Sequence, residues 1–488
     1  GDGISESREK LVSGFGFRNG VNGHDLHGLE WGVDGKLYFS NGDRGYGLKT
    51  KEGGVLFDSE RGAVFRCDPD GRNLERFTIG NRNPQDLAFD QFGNMFTVDN
   101  NRGNGDRSRV CYLVELGDYS WNSGHENKTT FYRATKLNER KGPNAIDNWL
   151  TDGDWKTQFE GQAAYCIPSA HYIDGGSAGI TFNPGKSLGP QLDDHFVYSA
   201  YQRGIFTFKF QPQGAGLEIQ NVKNFWSGGH IMDTEFSTDG KLYVADYVST
   251  SNAKKGQTKG AIYVLKEPEY LQYESVRTAD AILKKGFTSS SDSELYKNLF
   301  HDDMRVRMYS QFELARRGKV EQLEKALKQT KHELARLHGL WGLGQLSRKD
   351  SSVNSKITAY TNDSNWRVRA QVAKVLGESK DSSVANTVLS MVNDTNMRVQ
   401  FYAATAAGKL ASGKSVEPLI KLAEQNADKD IYLRHSIVAG LIYSGDKDKI
   451  HSYISNSSPA VRRVMLLALA RLKDHRITEL LQDKDVSI

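Results

Sequence analysis

Asp86-Leu-Ala-Phe-Asp-Gln-Phe-Gly-Asn-Met-Phe-Thr-Val-Asp99 is a short apolar run, a glycine-containing turn, and a second run rich in aromatic and β-branched residues. Two other segments repeat it. They are Gly28-Leu-Glu-Trp-Gly-Val-Asp-Gly-Lys-Leu-Tyr-Phe-Ser-Asn41 and Asp233-Thr-Glu-Phe-Ser-Thr-Asp-Gly-Lys-Leu-Tyr-Val-Ala-Asp246. Such pairs of runs read as β-hairpins. A looser copy joins Ala178-Gly-Ile-Thr-Phe182 to His195-Phe-Val-Tyr-Ser199, and follow-on strands are expected at Gly62–Cys67, Gly204–Phe210 and Gly260–Leu265. Repeated antiparallel modules of this kind predict propeller blades over residues 1–270. About four blades are legible, so the propeller is expected to be N-terminally incomplete or to hide degenerate blades. Residues 126–170 interrupt the pattern and read as an insertion.

Beyond about residue 275 the period changes to helical runs such as Val320-Glu-Gln-Leu-Glu-Lys-Ala-Leu327. A short signature recurs as Asp303-Met-Arg-Val-Arg307, Asn365-Trp-Arg-Val-Arg369, Asn396-Met-Arg-Val-Gln400 and Pro459-Ala-Val-Arg-Arg463. Arg367 and Arg398 lie 31 positions apart, and Arg305 and Arg367 lie 62 apart, twice that period. An Asp or Asn cap before an Ala/Leu-rich helix at this period predicts a HEAT-like α-solenoid over residues 271–488. The valines are expected inside and the arginines bonding between repeats. Both ends read as cut from something longer. Gly1-Asp2-Gly3 with Glu9 has the spacing of the back half of a calcium loop, and Asp485-Val-Ser-Ile488 resembles the start of another repeat.

The 64 basic and 60 acidic residues give a formal net charge of +4, too balanced for a nucleic-acid or anionic-membrane surface. No apolar run reaches the ~18 residues of a membrane helix. Cys67, Cys111 and Cys166 form no zinc or haem spacing. They read as buried thiols, with one disulfide left open.

Two polar constellations flank hairpins. His24 precedes the first, and Ser40-Asn41-Gly42-Asp43 ends it. A hairpin returns the chain to its starting level, so His24 and Asp43 are placed to meet, as a general base and the carboxylate that orients it. Arg82-Asn83-Pro84-Gln85 precedes the second hairpin and Asp99-Asn100-Asn101-Arg102-Gly103-Asn104-Gly105-Asp106 follows it. Arg82 suits an anionic or carbonyl oxygen, and the Asn/Gly/Asp run suits a hard cation such as calcium. Strand caps and solvated turns account for the same residues without chemistry. Trp121, Trp226 and Trp366 read first as core residues.

Arg82-Asn-Pro-Gln-Asp-Leu-Ala-Phe89, then Asp99–Asp106, then Gly117-Asp-Tyr-Ser-Trp121, resembles the soluble quinoprotein glucose dehydrogenases and their sorbosone-dehydrogenase relatives. The resemblance covers roughly residues 20–265. It implies a six-bladed-type propeller with pyrroloquinoline quinone and calcium. His24 falls at the position of the base, Asp43 at that of its orienting carboxylate, and Arg82 and Asn83 at that of the quinone-contacting pair. Asn101 and Arg102 fall where backbone carbonyls hold calcium, with Asp106 beside them. The clamp departs from the pattern. Gln202, with Arg203 next to it, replaces a lysine; His230 and Met232 replace arginines; Asp233 is retained. Over nearly the whole chain the sequence also resembles the large membrane-bound dehydrogenases that join this propeller to HEAT repeats and often to a cytochrome c domain.

Three functions follow as expectations. One is oxidation of a sugar or polyol hydroxyl, with electrons passed to a cytochrome c. The second is a scaffold that binds glycans or partner proteins, with the helical array as a docking surface. The third is a calcium-dependent, lactonase-like hydrolase. The resemblance implies a bacterial periplasm or cell surface.

Overall fold

The computed structural model describes residues 7–16, 23–100, 107–122, 166–247, 260–485 and Ile488. The strands assemble into four radial sheets and one small hairpin. The first sheet orders β1 (Leu26–Trp31), β2 (Leu37–Asn41), β5 (Gly62–Cys67) and β6 (Glu75–Asn81), with β10 (Gly117–Asp118) added parallel to β6. Between β2 and β5 a separate hairpin, β3 (Tyr46–Lys49) and β4 (Val55–Asp58), covers one face. The second sheet holds β7 (Pro84–Phe89), β8 (Met95–Asp99), β9 (Ser108–Leu113) and β11 (His171–Ile173). The third holds β12 (Gly176–Phe182), β13 (Phe196–Tyr201), β14 (Gly204–Gln213) and β15 (Gly216–Ser227). The fourth holds β16 (Ile231–Phe236), β17 (Leu242–Asp246) and β18 (Ala261–Leu265).

The three closest sequence copies fold alike. Each hairpin turn is closed by the same backbone bond, Gly32 N to Lys36 O, Asp90 N to Asn94 O and Ser237 N to Lys241 O, at 2.9, 3.0 and 2.9 Å. Gly35, Gly93 and Gly240 take φ values of 75°, 76° and 77°, the left-handed region that excludes most side chains. The innermost strands β1, β7, β12 and β16 each shift register near their N-terminal ends and pack side by side. The bulges allow close approach. A Cβ on Gly28 would lie 3.0 Å from Asp86 Cα, and one on Gly179 would lie 2.9 Å from Asp233 Cα. The result is a propeller-type array with its inner strands around one axis.

Helices begin with α1 (Glu274–Lys285) and α2 (Asp292–Asn298). The pairs that follow are α3 (Met304–Arg316) with α4 (Val320–Leu327), α5 (Glu333–Ser347) with α6 (Asn354–Thr358), α7 (Trp366–Glu378) with α8 (Ala385–Met391), α9 (Met397–Ala411) with α10 (Val416–Asn426), and α11 (Ile431–Ser444) with α12 (Lys447–His451), before α13 (Pro459–Arg471). The Asp303, Asn365 and Asn396 side chains cap α3, α7 and α9 by accepting from the backbone N–H two residues on. Val306, Val368, Val399 and Val461 are fully buried. Arg369 donates to both oxygens of Asp394 in the next repeat at 2.7 and 3.0 Å. Two signature arginines depart from the expected inter-repeat role because their helix ends abut the sheets. Arg398 donates to Tyr112 Oη at 3.0 Å and Asn94 Oδ1 at 2.7 Å, and Arg305 donates to Phe236 O at 2.7 Å.

One contiguous apolar cluster runs from Val33, Leu87 and Phe96 into Leu340, Phe401 and Leu433, so sheets and helices share a core. Helix α3 spans the fourth and first sheets. Besides the Arg305 bonds to the fourth, its Gln311 donates to Val33 O at 2.7 Å and its Phe312 meets the Trp31 ring edge-on at 6.3 Å. A buried ionic cluster adds to the seam. Arg66 and Lys36 of the first sheet meet Glu378 of α7, and Lys409 of α9 meets both Glu378 and Glu115. Burial works against the Glu378 carboxylate, yet Arg66, Lys409 and Lys36 hold it well below the usual carboxylate range. Cys67, Cys111 and Cys166 are all buried. No helix among the described residues is long and apolar enough to cross a membrane.

Candidate functional site

All four sheets present the starts of their inner strands and the ends of their second strands at one mouth. His24 lies just before β1, and Asp43 just after β2. Gly42 N donates to Asp25 O at 3.1 Å, which closes the two approaches together. The imidazole Nδ1 lies 2.7 Å from Asp43 Oδ1, with side-chain exposures of 5% and 2%. The carboxylate is the acceptor, so Nδ1 carries a hydrogen, and the neutral ring then has its lone pair on Nε2. Asp43 N donates to Arg82 O at 2.8 Å, which joins the first sheet to the second.

Arg82 is set by Asp99. The Arg82 and Asn83 backbone N–H groups donate to the Asp99 carboxylate at 3.0 and 2.7 Å, and Arg109 grips its other oxygen through Nε and Nη2 at 3.0 and 2.8 Å. Asp99 is 2% exposed. Asp99 opens the Asn/Gly/Asp run, and its oxygens are occupied in holding the turn that carries Arg82. The fully buried Trp121 completes the group. Its Nε1–H donates to Asp43 Oδ2 at 2.8 Å, and the Arg82 guanidinium lies 5.5 Å from its ring centroid. His24, Asp43 and Arg82 therefore converge as the hairpin logic expects. Trp121, read as core, is the contact between them. The one sequence signal for it was its place at the end of the Gly117–Trp121 stretch.

The remaining expected residues are spread around the same end. Asn83 is 2% exposed, its Oδ1 has no hydrogen-bond partner among the described residues, and that oxygen faces Gly42. Asn100 Nδ2 donates to Ser177 O at 2.6 Å, which carries the rim to the third sheet. Gln202 sits in the turn after β13 at φ 64°, and both it and Arg203 are exposed. The His230 ring packs on Tyr201 at 5.0 Å, and its backbone N–H donates to Asp246 at 3.0 Å. Asp233 lies further along the inner strand against Gly179, and burial raises its carboxyl above the ordinary range. Asn101, Arg102 and Asp106, the expected calcium residues, lie outside the described residues. So does the Gly1–Gly3 start, while Glu9 pairs with Lys51 at an exposed site. Among the described residues, no group of three His, Cys, Asp or Glu side chains is placed to hold a metal ion.

Two acids deeper along the inner strands are perturbed. Burial, with Glu235 and Asp86 nearby, pushes Glu30 up to about 8. Burial, then Asp233, pushes Asp86 up to about 8, although Leu87 and Ile180 N–H groups oppose the shift.

Residues 354–431 match the HEAT repeat family. The match lies within the helical half, a HEAT-like solenoid joined here to a propeller-type sheet array. Residues 1–226 match a family described as a domain of unknown function (DUF7133). No curated protein matches the chain. Similar solved structures include an oxidoreductase described as a glucose dehydrogenase from Thermus thermophilus, 17% identical with a TM-score of 0.31, covering 49% of this chain and 65% of that one. Another is the PQQ-bound form of aldose sugar dehydrogenase from Streptomyces coelicolor, 14% identical with a TM-score of 0.32, covering 49% and 62%. A third is the CpcE–CpcF complex of phycocyanin lyase from Nostoc sp. PCC7120, 16% identical with a TM-score of 0.23, covering 40% and 94%. The chain spans less than two thirds of the length of either dehydrogenase.

The described mouth does not fit pyrroloquinoline quinone, whose three carboxylates need cationic or N–H partners. Arg203 is exposed with its stem against Gly175, and Gln202, His230 and Met232 stand where cations are expected. Among the described residues, the buried Oδ1 atoms of Asn41, Asn81 and Asn83 have no hydrogen-bond partner, and as acceptors they offer a carboxylate no donor.

Proposed function

We propose that the mouth acts on a hydroxyl group of a sugar or polyol, in an oxidation of the sugar-dehydrogenase kind. The observation that carries the reading is the buried His24–Asp43 pair at 2.7 Å with Arg82 joined to it. His24 Nε2 takes the hydroxyl proton. Asp43 holds the tautomer and stabilises the imidazolium that forms, and Arg82 brings positive charge to the oxygen on which negative charge develops. The motif resemblance around Arg82-Asn83-Pro84-Gln85 supports the redox assignment. The carbinol C–H leaves as a hydride, so the reading requires a quinone-class two-electron acceptor at the mouth to take it, with a cytochrome c as the onward electron acceptor and the periplasm or cell surface as the setting. No step is assigned to pyrroloquinoline quinone, because among the described residues Gln202, His230 and Met232 stand in place of the clamp's cations.

That misfit favours a second reading, in which the same dyad activates water against a sugar lactone and no redox group takes part. One panel separates the two. Aldoses, polyols and their lactones are offered with a reducible dye and with a pH indicator, with and without added quinone and calcium. Dye reduction supports the oxidation; acid release without dye reduction supports hydrolysis; neither signal with any compound refutes both.

A further inference from the structure

We infer that Trp121 is the positioning residue that locks the His24–Asp43 pair and Arg82 into one arrangement. The inference rests on the proposed chemistry of that pair, and its structural half is testable without it. Each Asp43 oxygen has its own donor, His24 Nδ1 at 2.7 Å on Oδ1 and Trp121 Nε1 at 2.8 Å on Oδ2. A carboxylate held at both oxygens cannot rotate about its terminal bond, so the imidazole it holds is fixed as well. The other side of the same indole faces the guanidinium of Arg82, with 5.5 Å from Cζ to the ring centroid.

Trp121 is delivered by the outer strands of the first sheet, which lead to Arg82, and not by that sheet's inner hairpin, which carries the dyad. Strand β10 pairs in parallel with β6, and Trp121 N donates to Gly80 O at 2.9 Å. Gly80 is at φ 81°, and a Cβ there would lie 2.6 Å from Ser120 N, so the 117–121 turn is seated directly on the segment leading to Arg82. Arg109 fastens both pieces, donating to Tyr119 O at 2.7 Å and Gly80 O at 3.0 Å. The indole thus ties the inner hairpin of the first sheet to the outer-strand turn that leads to Arg82, and its two contacts are separable. The N–H serves Asp43, and the ring face serves Arg82.

Trp121→Phe keeps the face and removes the donor; Trp121→Leu removes both. On a substrate the wild type turns over, Trp121→Phe is expected to lower kcat by roughly 10- to 100-fold, the range of one hydrogen bond to a charged group, with KM nearly unchanged. Trp121→Leu is expected to raise KM as well. A fall in KM and kcat together in Trp121→Phe, or no change in either, would overturn the inference. The activity-independent arm uses protein with 15N-labelled tryptophan, whose seven indole N–H signals are recorded by NMR. The Trp121 signal is assigned by its loss in Trp121→Phe. It is expected to exchange slowly and to shift in Asp43→Asn and in Arg82→Lys. A signal indifferent to Asp43→Asn overturns the positioning role whatever the activity. A responsive signal in a protein that turns over no substrate upholds the lock and counts against the proposed reaction instead.

Discussion

Arg66 Nη2 of the first sheet lies 3.2 Å from Glu378 Oε1 at the end of α7, the arginine buried and the carboxylate partly buried. Lys409 lies 2.6 Å from the same carboxylate oxygen. Removing the Glu378 charge leaves a cluster of cations under-compensated in a low-dielectric seam. Glu378→Gln is expected to destabilise the chain by about 3 kcal/mol, read as a lower calorimetric midpoint. Glu378 is held below the ordinary carboxylate range, so its contribution is fully present above that range and is lost as pH falls from it through the lowered folded value. The midpoints of wild type and variant are therefore expected to converge at acid pH.

Glu30 works with the opposite sign. Its carboxyl, pushed up to about 8 by burial and by Glu235 and Asp86, costs stability that grows as pH rises from the ordinary carboxylate range through about 8. Glu30→Gln is expected to gain on the order of 2–4 kcal/mol at pH 9 and nothing at pH 4. Thermal midpoints at both pH values check this.

Arg109 is a fork fitted to four acceptor contacts, two on Asp99 and one each on Tyr119 O and Gly80 O. A lysine carries the charge but not the planar geometry. Arg109→Lys is expected to cost roughly 2–4 kcal/mol and to loosen the turn bearing Arg82. Hydrogen exchange at the Arg82 and Asn83 amides is expected to accelerate, because both donate to the Asp99 carboxylate that Arg109 holds.

Gly179→Ala tests the close approach of the inner strands. The new methyl would lie 2.0 Å from Asp233 Oδ1 and 2.9 Å from its Cα, so backbone must move. A loss of about 1–3 kcal/mol is expected, measured by denaturant midpoint.

The hairpins were legible because their turns demand glycine. Gly35, Gly93 and Gly240 mark one backbone geometry three times, and a period-2 pattern flanks each. The HEAT period was legible only in part. The 62-residue interval between Arg305 and Arg367 hides α5, whose first turn has neither the cap nor the signature, and α11 is hidden because it lacks the signature although Asp430 caps it. In the site, His24, Asp43 and Arg82 could be brought together by hairpin logic alone, since each flanks a strand pair. Trp121 and Asp99 could not be assigned. Trp121 is fully buried and Asp99 2% exposed, and both act through bonds to residues distant in sequence. The arginine signature misled at Arg398 and Arg305, because a repeat pattern says nothing about which helix ends face another domain.

The most direct measurement is kcat/KM of His24→Gln against wild type on the best substrate of the sugar, polyol and lactone panel, with folding of the variant checked by its thermal midpoint. Loss of a positioned general base is expected to cost about 10²- to 10⁴-fold, with the midpoint little changed. A folded His24→Gln variant that retains kcat/KM within about twofold (~0.4 kcal/mol) of wild type would contradict the assignment of the mouth as the site of proton abstraction.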